Sequence, residues 1–320
     1  MKAQRMFRSL VVGLSLASSA LAMSCATSTT RSVETGVAKA LISPEQENQL
    51  GLQLKTELDT KQQIVYLNDP TVVSYVRGVA DKVIAFGRKD RPEVTWQVFV
   101  IDDRKTVNAF ATPGGYLYVY RGLLETAQNE AELAGVMAHE TGHVVARHAA
   151  RSLVAAYGLE AIAGVAAGNN PGLAAQLATT IAAKGLMLAH SREDETEADE
   201  FGARYTSAAG YDPHGLVTFF GRLMEKSGDT PGLLAYLSDH PATSDRIAHV
   251  NAYVAQNGLA GSELGAATYG QIRQRLATLP TATPAAAGAA PAVAPPPSAA
   301  PAGGTPPPAA APPPAAPPPK

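Results

Sequence analysis

The chain of 320 residues has a single cysteine, Cys25, and a formal net charge of only −2. One thiol excludes a disulfide bond within the chain. The near balance of acidic and basic residues gives no sign of a basic surface for nucleic acid, so we expect no nucleic-acid partner. Long apolar runs are also missing after the first 25 residues, which disfavours an integral-membrane protein.

The first 24 residues have the three-part pattern of a secretory signal peptide: a basic start, an apolar run and small residues at its end. Cys25 follows directly, where a bacterial lipobox places the cysteine that becomes lipidated. Residues 1–24 are therefore predicted to be a lipoprotein-type signal peptide, with Cys25 lipidated and residues 25–43 forming a tether to a membrane surface. The alternative is cleavage after Ala22, with Cys25 incidental.

Proline dominates the other end of the chain. From Pro280 onward the sequence is almost entirely Pro and Ala, and this segment holds 16 of the 24 prolines. Because it lacks the side chains that form a core, residues 278–320 are predicted to be an extended, disordered tail, either a solvated spacer or a partner-binding segment. The remaining residues, 44–277, are predicted to form one folded domain.

The folded domain is predicted to be α+β and mostly helical. Ser43, followed by Pro and later by Gln, predicts the capped start of a first helix, and a second helix is expected over residues 70–86. The alternating pattern of residues 94–103 predicts a strand. Residues 108–120 predict a hairpin whose three alternate tyrosines lie on one face.

After Arg121 the pattern is helical to the end of the domain. Asn129 predicts the N-cap of a helix that continues to His148. The Ala-rich region 152–189 is predicted to form helices that are either buried in the domain or in contact with a membrane. Residues 191–200 form an acidic helix, which Ser191 can cap.

Residues 139–143, H-E-T-G-H, have the pattern H-E-x-x-H. Residues four apart on a helix share a face, so both imidazoles can reach one metal ion while Glu140 reaches a metal-bound water. A catalytic zinc takes three protein ligands. The third is expected from the acidic helix, where Glu195 and Asp199 share a face and Glu197 points elsewhere. Spacing alone leaves the choice open, and the alternative is a solvated acidic face.

Four stretches occur in order along the chain: N-A-F-A-T-P-G-G-Y-L-Y-V-Y-R-G-L-L (108–124), E-A-E-L-A-G-V-M-A-H-E-T-G-H-V-V-A-R-H (130–148), S-R-E-D-E-T-E-A-D (191–199) and S-D-H-P-A-T-S-D-R-I (238–247). In them the chain resembles the zinc metallopeptidase family that includes HtpX, the BepA and LoiP proteases and the CAAX prenyl proteases. Its plan is more similar to LoiP than to BepA, which carries helical repeats. The resemblance implies a gluzincin-type fold with a small β-sheet whose edge strand borders the active-site cleft.

The resemblance also implies a role for each residue of a zinc site. One Zn²⁺ per chain would be bound by His139, His143 and Glu195, and Glu140 would be the catalytic general base. This implied ligand set selects Glu195 rather than Glu197.

Further residues are implied around this site. Asp199 would orient a histidine ligand through its second ring nitrogen, with support from Arg246. His240 would stabilise the oxyanion or cap the resting zinc, whereas His148 and His190 are expected to be structural. The predicted substrate-binding edge strand consists of Asn108, Ala109, Phe110 and Ala111.

The function predicted from these features is a zinc-dependent endopeptidase that cleaves misfolded or misassembled cell-envelope proteins. Its expected location is the bacterial periplasm, lipid-anchored to the outer rather than the inner membrane. Its expected partners are protein or peptide substrates, the membrane surface and envelope assembly machinery. The alternative is a non-catalytic, zinc-stabilised envelope chaperone or assembly factor.

Overall fold

The computed structural model describes residues 42–61, 64–184, 190–226, 234–241 and 243–280. The predicted signal peptide, the lipidation site Cys25 and nearly all of the predicted tether and tail lie outside these residues.

Twelve helices and three strands follow one another along the described residues. They are α1 (Pro44–Thr60), α2 (Pro70–Asp90), β1 (Gln97–Ile101), β2 (Ala109–Thr112), β3 (Tyr116–Tyr120), α3 (Arg121–Thr126), α4 (Glu130–Val145), α5 (His148–Tyr157), α6 (Leu159–Ala166), α7 (Pro171–Lys184), α8 (Arg192–Ala208), α9 (Gly215–Lys226), α10 (Leu234–Asp239), α11 (Ser244–Gln256) and α12 (Ala266–Thr278). The mostly helical α+β class predicted from the sequence is confirmed.

The three strands form one sheet that separates two apolar cores. Their order is β1–β3–β2, with β1 parallel and β2 antiparallel to β3. Alternate residues of a strand point to opposite faces. On one face, residues such as Leu117 and Val119 pack in a core with α2 and α4. On the other, Phe110 and the three tyrosines of β3 pack with α1, α5, α6 and α7. The predicted hairpin and its tyrosine face are confirmed.

Helix α4 runs through the middle of the domain, and every residue from Glu130 to Val144 is buried. It begins where the sequence predicts, because the side chain of Asn129 accepts a hydrogen bond of 2.9 Å from the backbone N–H of Glu132. Polar residues on such a helix have no water to pair with, so they need partners within the protein.

The predicted continuation of α4 to His148 was wrong. The helix ends at Val145 because Arg147 has a φ of 63°, in the left-handed region. A non-glycine residue there costs about 1–2 kcal/mol. Its side chain is held by two contacts: Nη2 donates to the carbonyl of Ile42 at 2.6 Å, and Nε lies 2.7 Å from Oε2 of Glu47. These contacts hold the turn between α4 and α5.

Two glycines allow α4 and α8 to lie against each other. A Cβ at Gly142 would lie 2.8 Å from Cβ of Phe201 and 3.0 Å from the carbonyl oxygen of Ala198. A Cβ at Gly202 would lie 3.4 Å from Cα of His139. The H-E-x-x-H segment therefore lies directly on the backbone of the acidic helix.

Helices α5 to α7 lie where the Ala-rich region was predicted. Their buried residues, such as Leu153, Ile162 and Leu177, pack against α1 and one face of the sheet. Among the described residues, no single helix is long and apolar enough to cross a membrane, although α5 and α6, bent by 119°, pass that test as a pair. The packing supports the buried alternative for this region.

Described residues on both sides of the predicted domain, 44–277, also contact it. Ile42 is 3% exposed, so its side chain belongs to the core. Helix α12 ends at Thr278, and Nη1 of the buried Arg121 donates to the carbonyl of Pro280 at 2.8 Å.

Candidate metal centre

Three histidines and one glutamate bring their ligand atoms together beside α4. His139 and His143 come from α4, Glu195 from the first turn of α8, and His240 directly follows α10. One ligand atom of each residue lies within 4.8 Å of all the others. All four side chains are at most 3% exposed, so the cluster is closed to bulk water.

The distances within this cluster suit a tetrahedral metal ion. The Nε2 atoms of His139 and His143 are 3.0 Å apart, and Nδ1 of His240 lies 3.3 Å from Nε2 of His139. The carboxylate of Glu195 lies 3.4 to 3.5 Å from the Nε2 atoms of His143 and His139, and 3.1 Å from Nδ1 of His240. Donors about 2.0–2.1 Å from a tetrahedral zinc are about 3.3–3.4 Å apart, so these residues fit such an ion.

The two residues just before β2 position His240. The backbone N–H of Tyr236 in α10 donates to the carbonyl of Val107 at 3.1 Å, and Nδ2 of Asn108 donates to Oδ2 of Asp239 at 2.8 Å. The N–H of His240 then donates to the carbonyl of Tyr236 at 2.8 Å. These hydrogen bonds attach helix α10 to the sheet and thereby place His240, the fourth donor, in the cluster.

Arg246 connects the cluster to a buried carboxylate behind it. Oδ1 of Asp199 lies 2.9 Å from Nδ1 of His139, the ring nitrogen that faces away from the cluster. Nε and Nη2 of Arg246 donate to Asp199 at 2.8 and 2.7 Å, and its Nη1 lies 2.8 Å from Oε2 of Glu195. One guanidinium therefore holds both carboxylates, in the arrangement that metal sites use to orient a histidine ligand.

Glu140 lies next to the cluster without joining it. Its Oε1 atom is 3.4 Å from Nε2 of His240, and the side chain is buried. Burial raises the pKa of Glu140, and the nearby His240 and His139 only partly oppose this effect. A carboxylate with a raised pKa can accept a proton and give it up again at neutral pH.

The electrostatics of the metal-free cluster favour a positive charge. Burial alone lowers the pKa of His139, but its contacts with Asp199 and Glu195 outweigh burial and raise the pKa to about 9. Burial and the neighbouring His190 and His139 hold the pKa of His143 well below its usual value. Burial opposes the charged form of Glu195, yet the nearby histidines hold its pKa well below its usual value. At neutral pH the metal-free cluster therefore combines a protonated His139, a neutral His143 and an ionised Glu195.

Two histidines expected to be structural lie against His143. Nδ1 of His148 is 2.8 Å from Nδ1 of His143, and the ring of His190 stacks on His143 with the ring centres 4.1 Å apart. On a continuous helix, a residue five positions after His143 would face away. The turn at Arg147 places His148 against His143 instead. The sequence has no glycine or proline at that turn from which it could be predicted.

The predicted substrate-binding strand is covered rather than exposed. Ala109, Phe110 and Ala111 lie in β2, an outer strand of the sheet, and Asn108 directly precedes it. All four side chains are buried. A cavity of about 10 Å³ lies between Ala111 and Thr112 on one side and His143 and Ala149 on the other. This volume is about that of one water molecule and is too small for a peptide.

The sequence of the chain matches a known family over this whole region. Residues 68–254 match the profile of Peptidase family M48, which covers more than half of the chain and all four of the motifs described above. The chain belongs to peptidase family M48. This confirms the family resemblance predicted from the four motifs.

Several M48-related proteins resemble the chain over part of its length. It is 36% identical over 185 residues to the mitochondrial metalloendopeptidase OMA1 of Schizosaccharomyces pombe, covering 58% of this chain and 53% of that protein. It is 35% identical over 191 residues to the putative beta-barrel assembly-enhancing protease of Vibrio cholerae, covering 57% and 39%. It is 27% identical over 223 residues to the metalloprotease LoiP of Escherichia coli, covering 68% and 84%. The chain thus spans about half of the length of the OMA1 protein and less than half of the length of the Vibrio cholerae protease.

Zinc binding to the metal-free M48 protein should release protons. The pKa of about 9 means that His139 is protonated at pH 7, and an imidazole must be deprotonated to bind a metal. The apparent zinc affinity should therefore rise between pH 7 and pH 9. Titration calorimetry at pH 7, in two buffers of different ionisation enthalpy, should detect at least one proton released per zinc. Binding without proton release would show that His139 is already neutral in the metal-free protein, against its raised pKa.

Proposed function

We propose that this protein is a zinc-dependent endopeptidase that cleaves peptide bonds in cell-envelope proteins. The observation that carries the proposal is the buried cluster of donors at tetrahedral spacing with a carboxylate beside it. His139, His143 and Glu195 would bind the ion, and His240 would complete the donor set at rest. Imidazole and carboxylate donors in this geometry are those that zinc takes in catalytic sites.

Zinc bound there would supply a water of lowered pKa and polarise the substrate carbonyl. Glu140 would take the proton of the attacking water and pass it to the leaving amine, a role that suits its raised pKa. Asp199 and Arg246 would keep His139 and Glu195 oriented. When His240 leaves the donor set, its imidazole would be placed to stabilise the oxyanion.

The substrate would bind as an additional strand on β2. Strand addition gives a protease backbone hydrogen bonds to an extended peptide whatever its sequence. Ala111 and Thr112 line the cavity that also reaches His143, so a peptide on this strand would lie beside the metal centre.

The names of the relatives support an envelope substrate. The relative in Vibrio cholerae is called putative beta-barrel assembly-enhancing protease, and one in Escherichia coli is called beta-barrel assembly-enhancing protease. We propose that the present chain likewise acts on proteins of the bacterial envelope, in the periplasm, and works beside envelope assembly machinery. The signal-peptide pattern of the first 24 residues agrees with this location.

Replacing the proposed base tests the catalytic part of the proposal. Glu140→Gln should keep about one zinc per chain but lower casein cleavage by at least about 100-fold, because proton transfer by a positioned side chain contributes about 10²–10⁴-fold. Glu193→Gln, at an exposed position in α8, is the matched control and should cleave like the unaltered chain. Zinc content by mass spectrometry and initial cleavage rates are the measurements.

Two results would contradict the proposal. Full activity in Glu140→Gln would remove Glu140 as the base. Zinc in all three proteins with cleavage in none of them, against casein and unfolded envelope proteins alike, would favour the non-catalytic chaperone.

We also propose that Cys25 carries a lipid anchor, on the outer rather than the inner membrane. Expressed in a bacterial host with a labelled fatty acid, the unaltered chain should incorporate label and sediment with outer membranes. Cys25→Ser should lose the label, whereas Ser24→Ala should retain it. An unlabelled chain whose mass shows cleavage after Ala22 would contradict the anchor.

A further inference from the structure

We propose that His148 is the positioning residue of the metal ligand His143, and that Asp194 and Glu197 fix the tautomer of His148 that this role requires. This inference rests on the proposed zinc site. It concerns a second support for the site, on the side away from Asp199 and Arg246.

The contacts of His148 form a continuous path from the metal centre to the start of α8. Its Nδ1 atom lies 2.8 Å from Nδ1 of His143. Its Nε2 atom lies 3.2 Å from Oδ1 of Asp194 and 3.3 Å from Oε2 of Glu197. The imidazole of His148 is fully buried, so water cannot replace these partners.

The positions of the protons follow from these contacts. Nε2 of His143 faces Nε2 of His139 and Oε1 of Glu195, so the lone pair of Nε2 is the one available to the metal. The proton of His143 is then on Nδ1. Only one proton fits between two nitrogens 2.8 Å apart, so Nδ1 of His148 must be bare and accept it. The proton of His148 is therefore on Nε2, which donates to the carboxylates.

The two histidine ligands of α4 thus have different supports. His139 is held directly by the carboxylate of Asp199, 2.9 Å from its Nδ1. His143 is held by an imidazole, which is itself held by the carboxylates of Asp194 and Glu197. In both cases the second ring nitrogen has a buried acceptor, which fixes the ring orientation and makes the metal-binding nitrogen more basic.

The fold builds this support from α5 and α8. The left-handed turn at Arg147 places His148 opposite His143, and Arg151, one turn along α5, donates to Asp194. Asp194 also belongs to the capping box that starts α8 with Ser191. Because the next residue of α8 is the ligand Glu195, the same contacts that orient one ligand fix the position of another.

A second cation in this region is a poorer explanation. The distance of 2.8 Å between the Nδ1 atoms of His143 and His148 suits a hydrogen bond and is shorter than the separation of about 3.3 Å between two ligands of one zinc ion. The group of His148, Asp194 and Glu197 already contains a cation, because the guanidinium of Arg151 binds Asp194.

Two replacements at one position separate hydrogen bonding from packing. His148→Phe keeps a ring but has no acceptor, whereas His148→Asn keeps a side-chain acceptor close to the position of Nδ1. In the full chain, His148→Phe should weaken zinc binding by about 10–100-fold, the usual effect of losing such a partner. His148→Asn should bind zinc several-fold more tightly than His148→Phe. The measurement is zinc affinity by competition with a chelator, and circular dichroism checks the fold of each variant.

His249→Phe is the matched control. His249 also pairs with a carboxylate, since its Nε2 lies 3.0 Å from Oε1 of Glu200, but it is 42% exposed and lies on α11 away from the cluster. Its zinc affinity should equal that of the unaltered chain. A folded His148→Phe protein with unaltered zinc affinity would overturn the inference, and so would equal weakening by Phe and Asn.

The positions of the imidazole protons can also be observed directly in the unaltered chain, so this test does not depend on whether a variant folds. Long-range ¹⁵N–¹H spectra of the zinc-loaded chain, labelled at histidine, should show His143 with its proton on Nδ1 and His148 with its proton on Nε2. A proton on Nδ1 of His148 would overturn the inference while leaving the zinc site intact. If the unaltered chain binds no zinc, the proposed function fails and this inference fails with it.

Discussion

Helices α4 and α8 touch at Gly142, and the rest of the site depends on this contact. A side chain at that position would meet the backbone of α8 at Ala198. With only hydrogen there, the two histidines of α4 lie directly opposite the carboxylates of α8, within reach of one ion. Every other feature of the centre either keeps these two helices together or orients the side chains that face each other across them.

The contact also concentrates titratable groups where no water reaches them. Burying several of these groups is unfavourable unless each has a partner of opposite charge or a hydrogen bond. Arg246 supplies one positive charge and binds both Glu195 and Asp199. In the metal-free protein, His139 supplies a second positive charge, because its pKa of about 9 keeps it protonated at neutral pH. A divalent cation that replaces this proton would neutralise the same carboxylates, so the arrangement suits a metal centre better than an apolar core.

The sequence predicts well those parts of the site that depend on local periodicity. The four-residue spacing of His139 and His143 and the shared face of Glu195 and Asp199 need only helix geometry, and the structure brings these residues together. Caps at Ser43, Asn129 and Ser191 are also local, and all three helices begin where they predict.

The remaining parts depend on contacts between distant segments, and the sequence does not reveal them. The turn after α4 occurs at Arg147, a residue without turn preference, because Glu47 and the carbonyl of Ile42 hold it there. The approach of His148 to His143 depends on that turn. The burial of β2 likewise depends on packing against α4 and α5 in the folded chain, which local spacing does not encode.

X-ray absorption at the zinc edge of the zinc-loaded chain is the most direct test of the metal centre, because it reports the ligands without any substrate. If the cluster binds zinc, the spectrum should show four nitrogen or oxygen ligands at about 2.0–2.1 Å with the scattering pattern of three imidazoles, those of His139, His143 and His240. A sulfur ligand, or fewer than two imidazoles, would contradict this ligand set, because the metal would then lie outside the cluster that α4, α8 and His240 form.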